Sequence, residues 1–307
     1  MILCVCLSPA VDVTYHVDRL TVGETIRVRA VSSRPGGKAV NVARILHALG
    51  EATELVAPVG GATGAEFAAE LARLGVPTQL VASGRPTRRT VTVVADEGSA
   101  TVLSEPAEVD CWPALLEATV ARMRLAEVVV VSGSIPAGTP ADAIGTLVTA
   151  AREADRVSIV DTSGTALREA LSAGPTVVKP NADELAALRV GEPDPVRAVR
   201  ALALAGGTTV VASFGADGIV AADRERACTA RSARALTGNP TGAGDALVAG
   251  LARGLCANRH VTLTDLVREP MAMAAAAVLS AHAGELDPDV VAAQRAQVVV
   301  RDLGGAS

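Results

Sequence analysis

Aromatic rings are almost missing from this chain: Tyr15, Phe67, Trp112 and Phe214 are the full set in 307 residues. The core is therefore expected to be aliphatic, and a bound ring to lie between aliphatic walls rather than on a stacked aromatic face. Paired cysteines are missing too. Cys4, Cys6, Cys111, Cys228 and Cys256 are odd in number and lack metal-ligand spacing, so they read as buried, reduced thiols. No apolar run approaches the roughly 18 residues that span a bilayer. The opening MILCVCLSPA has neither a basic n-region nor a small-residue cleavage site, so it reads as a first strand, and a reducing cytoplasm is the expected compartment. With a net charge of −5 there is no basic excess, which argues against a nucleic-acid partner.

Lysine is scarce: of 28 basic side chains only Lys38 and Lys179 are lysine. A compact, mobile point charge differs from arginine's rigid fork, and both lysines sit in loops marked by Gly or Pro, PGGKAVN and VKPNADEL.

What the chain does have is alternation. From about residue 36, helical stretches such as NVARILHALG, TGAEFAAELARLGV, PADAIGTLVTAAREA, TALREALSAG, ADELAALRV and VRAVRALALAGG alternate with ATELVAPVG, AEVVVVSGS, RVSIVDTSG, TVVKPN and TTVVASFGADGIVAAD. This predicts an α/β fold with a doubly wound, mostly parallel sheet flanked by helices. Residues 10–33 and 87–103 instead alternate polar and apolar at period two, with DEGS as a hairpin turn, and are expected to form a small β lid over a site. One domain over 1–307 carrying this lid is the expectation, with a frayed Gly-Ala-Ser tail.

In such sheets ligands bind beyond the carboxyl ends of the strands. The loops there are SGSIPAG, DTSG, KPNADE, SFGADG and NPTGAGD, rich in Gly, Ser, Thr and Asp. In the last, Gly242, Ala243 and Gly244 stand where the helical pattern ALVAGLARGL begins, so free N–H groups and the helix dipole would form an anion site. Asp245 falls in the first turn, which the dipole favours. Taken alone it is an ordinary cap. Beside an anion hole it is what phosphoryl transfer to a hydroxyl requires: one group to take the proton, and amides to hold charge on the moving phosphoryl. There is no G-x-x-x-x-G-K-[ST], and no G-x-G-x-x-G after the first strand, so the P-loop and nicotinamide-dinucleotide readings lack their fingerprints. His16, His47, His260 and His282 form no cluster and read as structural or exposed.

PGGKAVNVARILHALG and PTGAGDALVAGL resemble the N- and C-terminal signatures of the PfkB group within the ribokinase superfamily. SGSIPAG, DTSGTAL, VVKPNADEL and SFGADG follow in the family order, so the likeness runs over nearly the whole chain. SPAVDVTY, GGATGAEF and TRRTV point to the branch of 1-phosphofructokinase, tagatose-6-phosphate kinase and the minor 6-phosphofructokinase. The resemblance implies a ribokinase-like fold and an ATP-dependent sugar-phosphate kinase using Mg2+. It implies Asp245 as the base that deprotonates the sugar hydroxyl, with the backbone amides of Gly242, Ala243 and Gly244 as the anion hole. Asn181 and Glu184 would organise magnesium indirectly, through water, which suits that ion's reluctance to shed its shell. Lys179 would face the nucleotide phosphates, and Ser213, Gly215 and Gly218 would shape the nucleotide pocket. Asp12 and Asn41 would hold sugar hydroxyls, with Gly36 and Gly37 allowing close approach. Arg27, Lys38 and Arg88 would clamp the phosphate already on the substrate, and Ser134 would touch it.

The chain departs from the family pattern at Ala39 (Gly in the family), at Ser8 and Thr90 (both Asn), and in NPTGAGD, which replaces a Thr-Val lead-in. Ser8 and Thr90 flank the expected sugar pocket and so bear on which sugar is used. Fructose 1-phosphate, converted to fructose 1,6-bisphosphate, is the first expectation. Tagatose 6-phosphate, fructose 6-phosphate and an unphosphorylated sugar or nucleoside are alternatives, and a non-catalytic sugar or nucleotide sensor is the reading from another class. Open lid edges imply a homodimer joined through the lids.

Overall fold

The computed structural model describes residues 1–188, 191–280 and 283–305. The chain starts with β1 (Ile2–Val5) and leaves at once for β2 (Ala10–Val17) and β3 (Ala30–Gly36). It returns through α1 (Lys38–Ala48), β4 (Thr53–Val59), α2 (Gly61–Arg73) and β5 (Thr78–Ala82), then goes out again as β6 (Arg88–Ala95) and β7 (Ala100–Ser104). Regular alternation follows: α3 (Trp112–Met123), β8 (Val128–Ser132), α4 (Ala143–Glu153), β9 (Val157–Asp161), α5 (Gly164–Ala173), β10 (Val177–Val178), α6 (Ala182–Ala187), α7 (Pro195–Gly206) and β11 (Thr209–Ser213). A 3-10 turn at Gly215–Asp217 leads to β12 (Ile219–Ala222) and β13 (Ala227–Ser232). Then α8 (Ala243–Ala257), α9 (Leu263–Leu266), α10 (Arg268–Val278) and α11 (Pro288–Arg295) precede β14 (Val298–Asp302).

Among the described residues ten strands form one sheet, in the order β14-β13-β12-β11-β10-β9-β8-β1-β4-β5. It is parallel from β11 to β5 and antiparallel through β12, β13 and β14. The runs VVVVS of β8 and VSIVD of β9 are buried at every residue, as a strand covered by helices on both faces must be. One aliphatic cluster packs α1, α8 and α10 on the sheet, and a second packs α3, α4 and α5. Among the described residues Phe67 is the only aromatic ring in the buried core, so the expectation of an aliphatic interior holds. Cys4, Cys6 and Cys228 are buried and free, and burial pushes each thiol up to about 12. Cys111 and Cys256 are only half-buried, which corrects the reading of all five as buried.

The period-two segments form a separate sheet in the order β3-β2-β6-β7, with β2 and β6 parallel. The lid boundaries shift. Residues 18–29 form a connection rather than strand, β3 runs on through Gly36, and β7 reaches Ser104. His282, the end of ADELAALRV and the last two residues of the tail lie outside the described residues.

Packing of α8 against α10 sets the position of the site helix. At Gly250 an added Cβ would stand 2.6 Å from the Cα of Pro270, which is backbone and cannot swing away. Gly250→Ala is therefore expected to destabilise by about 1–3 kcal/mol. At Gly254 the nearest atom is the tip of Leu266, 3.3 Å away, which can yield. Gly254→Ala should thus lose little, since alanine also favours the helix. Thermal denaturation of the two variants side by side checks this contrast.

Candidate active site

Strand order reverses about β1, with β4 and β5 on one side and β8 to β11 on the other. The crevice beyond the carboxyl ends at such a switch is where open α/β sheets bind ligands. Ser132 ends β8, Asp161 ends β9, and Lys179 directly follows β10.

Two helix N-termini converge there. Gly37, at φ 110°, precedes α1, and Gly242, at φ 86°, precedes α8. Neither start has a side-chain cap. Their first turns are joined by Asn41, whose Nδ2 donates to Oδ2 of Asp245 at 2.8 Å. Asp245 is only 7% exposed, because most of the first half of α8 is wrapped in aliphatic packing. Burial pushes its carboxyl up to about 7, with Asp161 adding to the effect and the Asn41 hydrogen bond, Lys38 and Lys179 opposing it. A carboxylate poised near neutrality suits proton abstraction.

Both lysines reach one oxygen. Lys38 Nζ lies 3.2 Å and Lys179 Nζ 3.3 Å from Oδ1 of Asp161, which is itself buried. Ser132 Oγ donates to Oδ2 of the same carboxylate at 3.4 Å. Burial works against the Lys38 charge, yet Asp161, Glu184 and Asp245 outweigh it and hold its pKa above the ordinary value. This corrects the placement of Lys38 with Arg27 and Arg88: its ammonium sits among the acids around Asp245.

The glycine loop enters α8 through Gly242 in the left-handed region. A side chain at Gly242 would meet Ala283, 2.9 Å from its Cβ, and a Cβ at Gly244 would stand 3.7 Å from Lys179 Nζ. The Ala243 amide, however, donates to the Pro240 carbonyl at 3.2 Å, closing the turn that starts α8. It is therefore spent within the chain, and the candidate anion hole reduces to the amides of Gly242 and Gly244.

Toward the lid, Asp12 of β2 packs on Gly36, where a Cβ would run into its carboxylate. Burial raises the Asp12 pKa against the Thr90 hydroxyl, Arg88 and Arg44. Arg88 is held by three hydroxyls: Nε donates to Ser8 Oγ at 3.1 Å, and Nη1 to Thr90 Oγ1 at 3.1 Å and Ser104 Oγ at 2.7 Å. Two positions that depart from the family pattern thus orient the same guanidinium. Arg27 does not join it. It is exposed on the connection between β2 and β3, and it has no ion pair among the described residues. Ser134 is also exposed, beyond the end of β8, while Ser132 is the serine that faces the acids.

On the nucleotide side, Asn181 and Glu184 form a capping box on α6: Asn181 Oδ1 accepts from the Glu184 amide at 2.8 Å, and Glu184 Oε2 from the Asn181 amide at 2.9 Å. Ser213 ends β11 and bridges to Asn181. Gly215 and Gly218, at φ 57° and 86°, make the turn to β12, and a side chain at Gly218 would strike the backbone of Ala230 and Arg231. No group of three or more His, Cys, Asp or Glu among the described residues could hold a metal directly. Surface hollows of about 490 Å³ beside β5 and α3, and about 380 Å³ between α6 and α7, include neither Asp245 nor its partners. Chemistry rather than volume marks the site.

Sequence reasoning missed Asp161, Ser132 and Arg44. The first two had a signal, a polar residue closing an otherwise apolar strand. Arg44, buried in α1 and paired with Glu285 at 3.5 Å, had none.

An acid at a glycine-led helix start, beyond a doubly wound sheet and beside a separate β sheet, defines an α/β phosphotransferase. The chain belongs to the pfkB family of carbohydrate kinases, which it matches over residues 1–289, and is an ATP-dependent sugar kinase. It is similar to phosphofructokinase-2 from Escherichia coli in complex with potassium, at 30% identity over 96% of this chain and 98% of that one, with a TM-score of 0.89. The tetrameric inhibited form of the same enzyme gives a TM-score of 0.87 at 30% identity, with 96% and 98% covered. A Thermotoga maritima protein described as a possible 1-phosphofructokinase is 25% identical over 99% of each chain, with a TM-score of 0.87. Among the described residues no helix is long and apolar enough to cross a membrane.

Proposed function

We propose that this sugar kinase transfers the γ-phosphoryl group of ATP to the 6-hydroxyl of fructose 1-phosphate, with tagatose 6-phosphate and fructose 6-phosphate as alternative acceptors. The observation that carries the chemistry is the buried Asp245 carboxyl, poised near 7 where two helix N-termini meet. In this reading Asp245 accepts the hydroxyl proton as the oxygen attacks the γ-phosphorus and the bond to the bridging oxygen breaks, releasing ADP. The amides of Gly242 and Gly244, with Lys38 and Lys179, hold the developing charge. Arg88 takes the phosphate already on the sugar, and Asp12 and Asn41 its hydroxyls. The SPAVDVTY, GGATGAEF and TRRTV stretches and the similarity to the Thermotoga protein support fructose 1-phosphate.

Glu184 uses one oxygen in its cap, and its charge is felt at Lys38, so its second oxygen fits a water-mediated Mg2+ contact. Bound with ATP, that ion would neutralise phosphate charge. ADP release measured with fructose 1-phosphate, fructose 6-phosphate, tagatose 6-phosphate, fructose and ribose tests the reading. The highest kcat/KM is expected on fructose 1-phosphate, and equal rates on the bare sugars would reject the Arg88 clamp.

Because the base works only when deprotonated, kcat should rise with pH and level off above about 7, where Asp245 ionises. A pH-rate profile with saturating substrates measures this limb, and a flat profile from pH 5 to 8 would count against the base.

The outer lid strand β7 is exposed along its whole length, with Val102 and Leu103 each 59% exposed, so we assign the lid to a homodimer interface. Light scattering should give two chains for the parent protein and one for Val102→Glu/Leu103→Glu.

A further inference from the structure

The two lysines of this chain come from different elements, the start of α1 and the end of β10, yet both ammonium groups rest on one oxygen of Asp161. Nothing in their backbones requires this. Lys179 is 4% exposed and Asp161 1%, so this ion pair is dry and its geometry is fixed, whereas Lys38, at 41%, has room to move. Two ammonium groups on one carboxylate leave a surplus positive charge, and it lies against Gly244 at the mouth of α8. A lone buried ammonium there would be costly, and Asp245 already feels the charge of both lysines.

We propose that Asp161 is a positioning residue: it parks Lys38 and Lys179 beside the α8 start for an incoming phosphoryl group and keeps them off Asp245. This rests on the phosphotransfer reading above for its kinetic part only. The charged groups acting on Asp245 are Asp161, Lys38 and Lys179, with the Asn41 amide as its hydrogen-bond partner. Removing Asp161 takes away a negative charge and frees two positive ones, and both changes favour the ionised base.

In Asp161→Asn, kcat/KM for ATP is expected to fall by about 10²-fold, the scale of a misplaced group. The kcat limb should also move to lower pH than in the parent, a shift that a merely structural residue would not cause. A substrate-free readout is available because the chain has only two lysines. Reductive methylation with ¹³C-formaldehyde labels the accessible Lys38, and Lys38→Met assigns its resonance. Its titration midpoint should be lower in Asp161→Asn than in the parent. Unchanged limb and unchanged Lys38 titration would overturn the proposal. Should Asp161→Asn not fold, Asp245→Asn/Glu184→Gln leaves Asp161 as the one remaining carboxylate of the three that raise Lys38. There Asp161, the strongest of the three, still holds the ammonium, so the Lys38 midpoint should fall by less than about one pKa unit from the parent's, and a larger fall overturns the proposal. Loss of phosphotransfer as a reading would show instead as full turnover in Asp245→Asn, and would leave the resonance results standing.

Discussion

Asp245→Asn is expected to fold, to lose about 10²–10⁴-fold in turnover, and to withstand heat better than the parent protein at pH 8. The last two effects have one cause. Burial holds the Asp245 carboxyl near 7, while free aspartate ionises near 3.8. Between those values the folded chain keeps a proton that the unfolded chain has released. The stability from the neutral acid is therefore fully present below about 4 and lost as pH rises through about 7. The amide has no charge to bury and still accepts from Asn41, so the two proteins should match in stability near pH 4, diverge as pH rises to about 7, and stay apart above it. ADP-release assays and melting curves at pH 5 and pH 8 check both halves. Full turnover, or identical melting at pH 8, would remove Asp245 from the role of buried base.

The second large effect concerns acceptor choice. Arg88 reaches its position through Ser8, Thr90 and Ser104, three short hydroxyls that orient the fork without neutralising it. A charge-assisted contact of this kind contributes about 1.5–3 kcal/mol. Arg88→Met should thus lower kcat/KM on a phosphorylated ketohexose by about tenfold to a hundredfold, chiefly through KM, and change the rate on fructose much less. An equal loss on both acceptors would mean that Arg88 supports the lid instead of reading phosphate. Because Thr90 is one of the three hydroxyls that orient Arg88, Thr90→Val is a milder probe of the same contact, with the same direction expected.

The alternation of aliphatic strands and glycine-stopped helices was legible because a strand buried on both faces must be apolar throughout, as β8 and β9 are. The lid was legible from the period-two spacing of its polar and apolar residues, although β7 proves exposed along its whole length. Asp245 and its glycines could be picked out since a helix start that receives an anion needs residues without side chains. Pairings between distant segments could not. The sequence placed Lys38 with the arginines, but folding carries it to an oxygen 123 residues away, beside Lys179. Arg27 has the right residue type, but its exposure on the 18–29 connection, without an ion pair among the described residues, could not be read from the sequence. The Ala243 amide is consumed by a turn that its own glycine neighbours permit.

Local chemistry, periodicity and backbone freedom are written in single stretches of chain, so the sequence by itself determined the layers, the lid and the identity of the buried acid. Which charges meet is decided by burial, since only the packed interior strips water from Asp161 and makes two lysines share it. That shared carboxylate, and with it the proton affinity of Asp245, belongs to the tertiary structure alone.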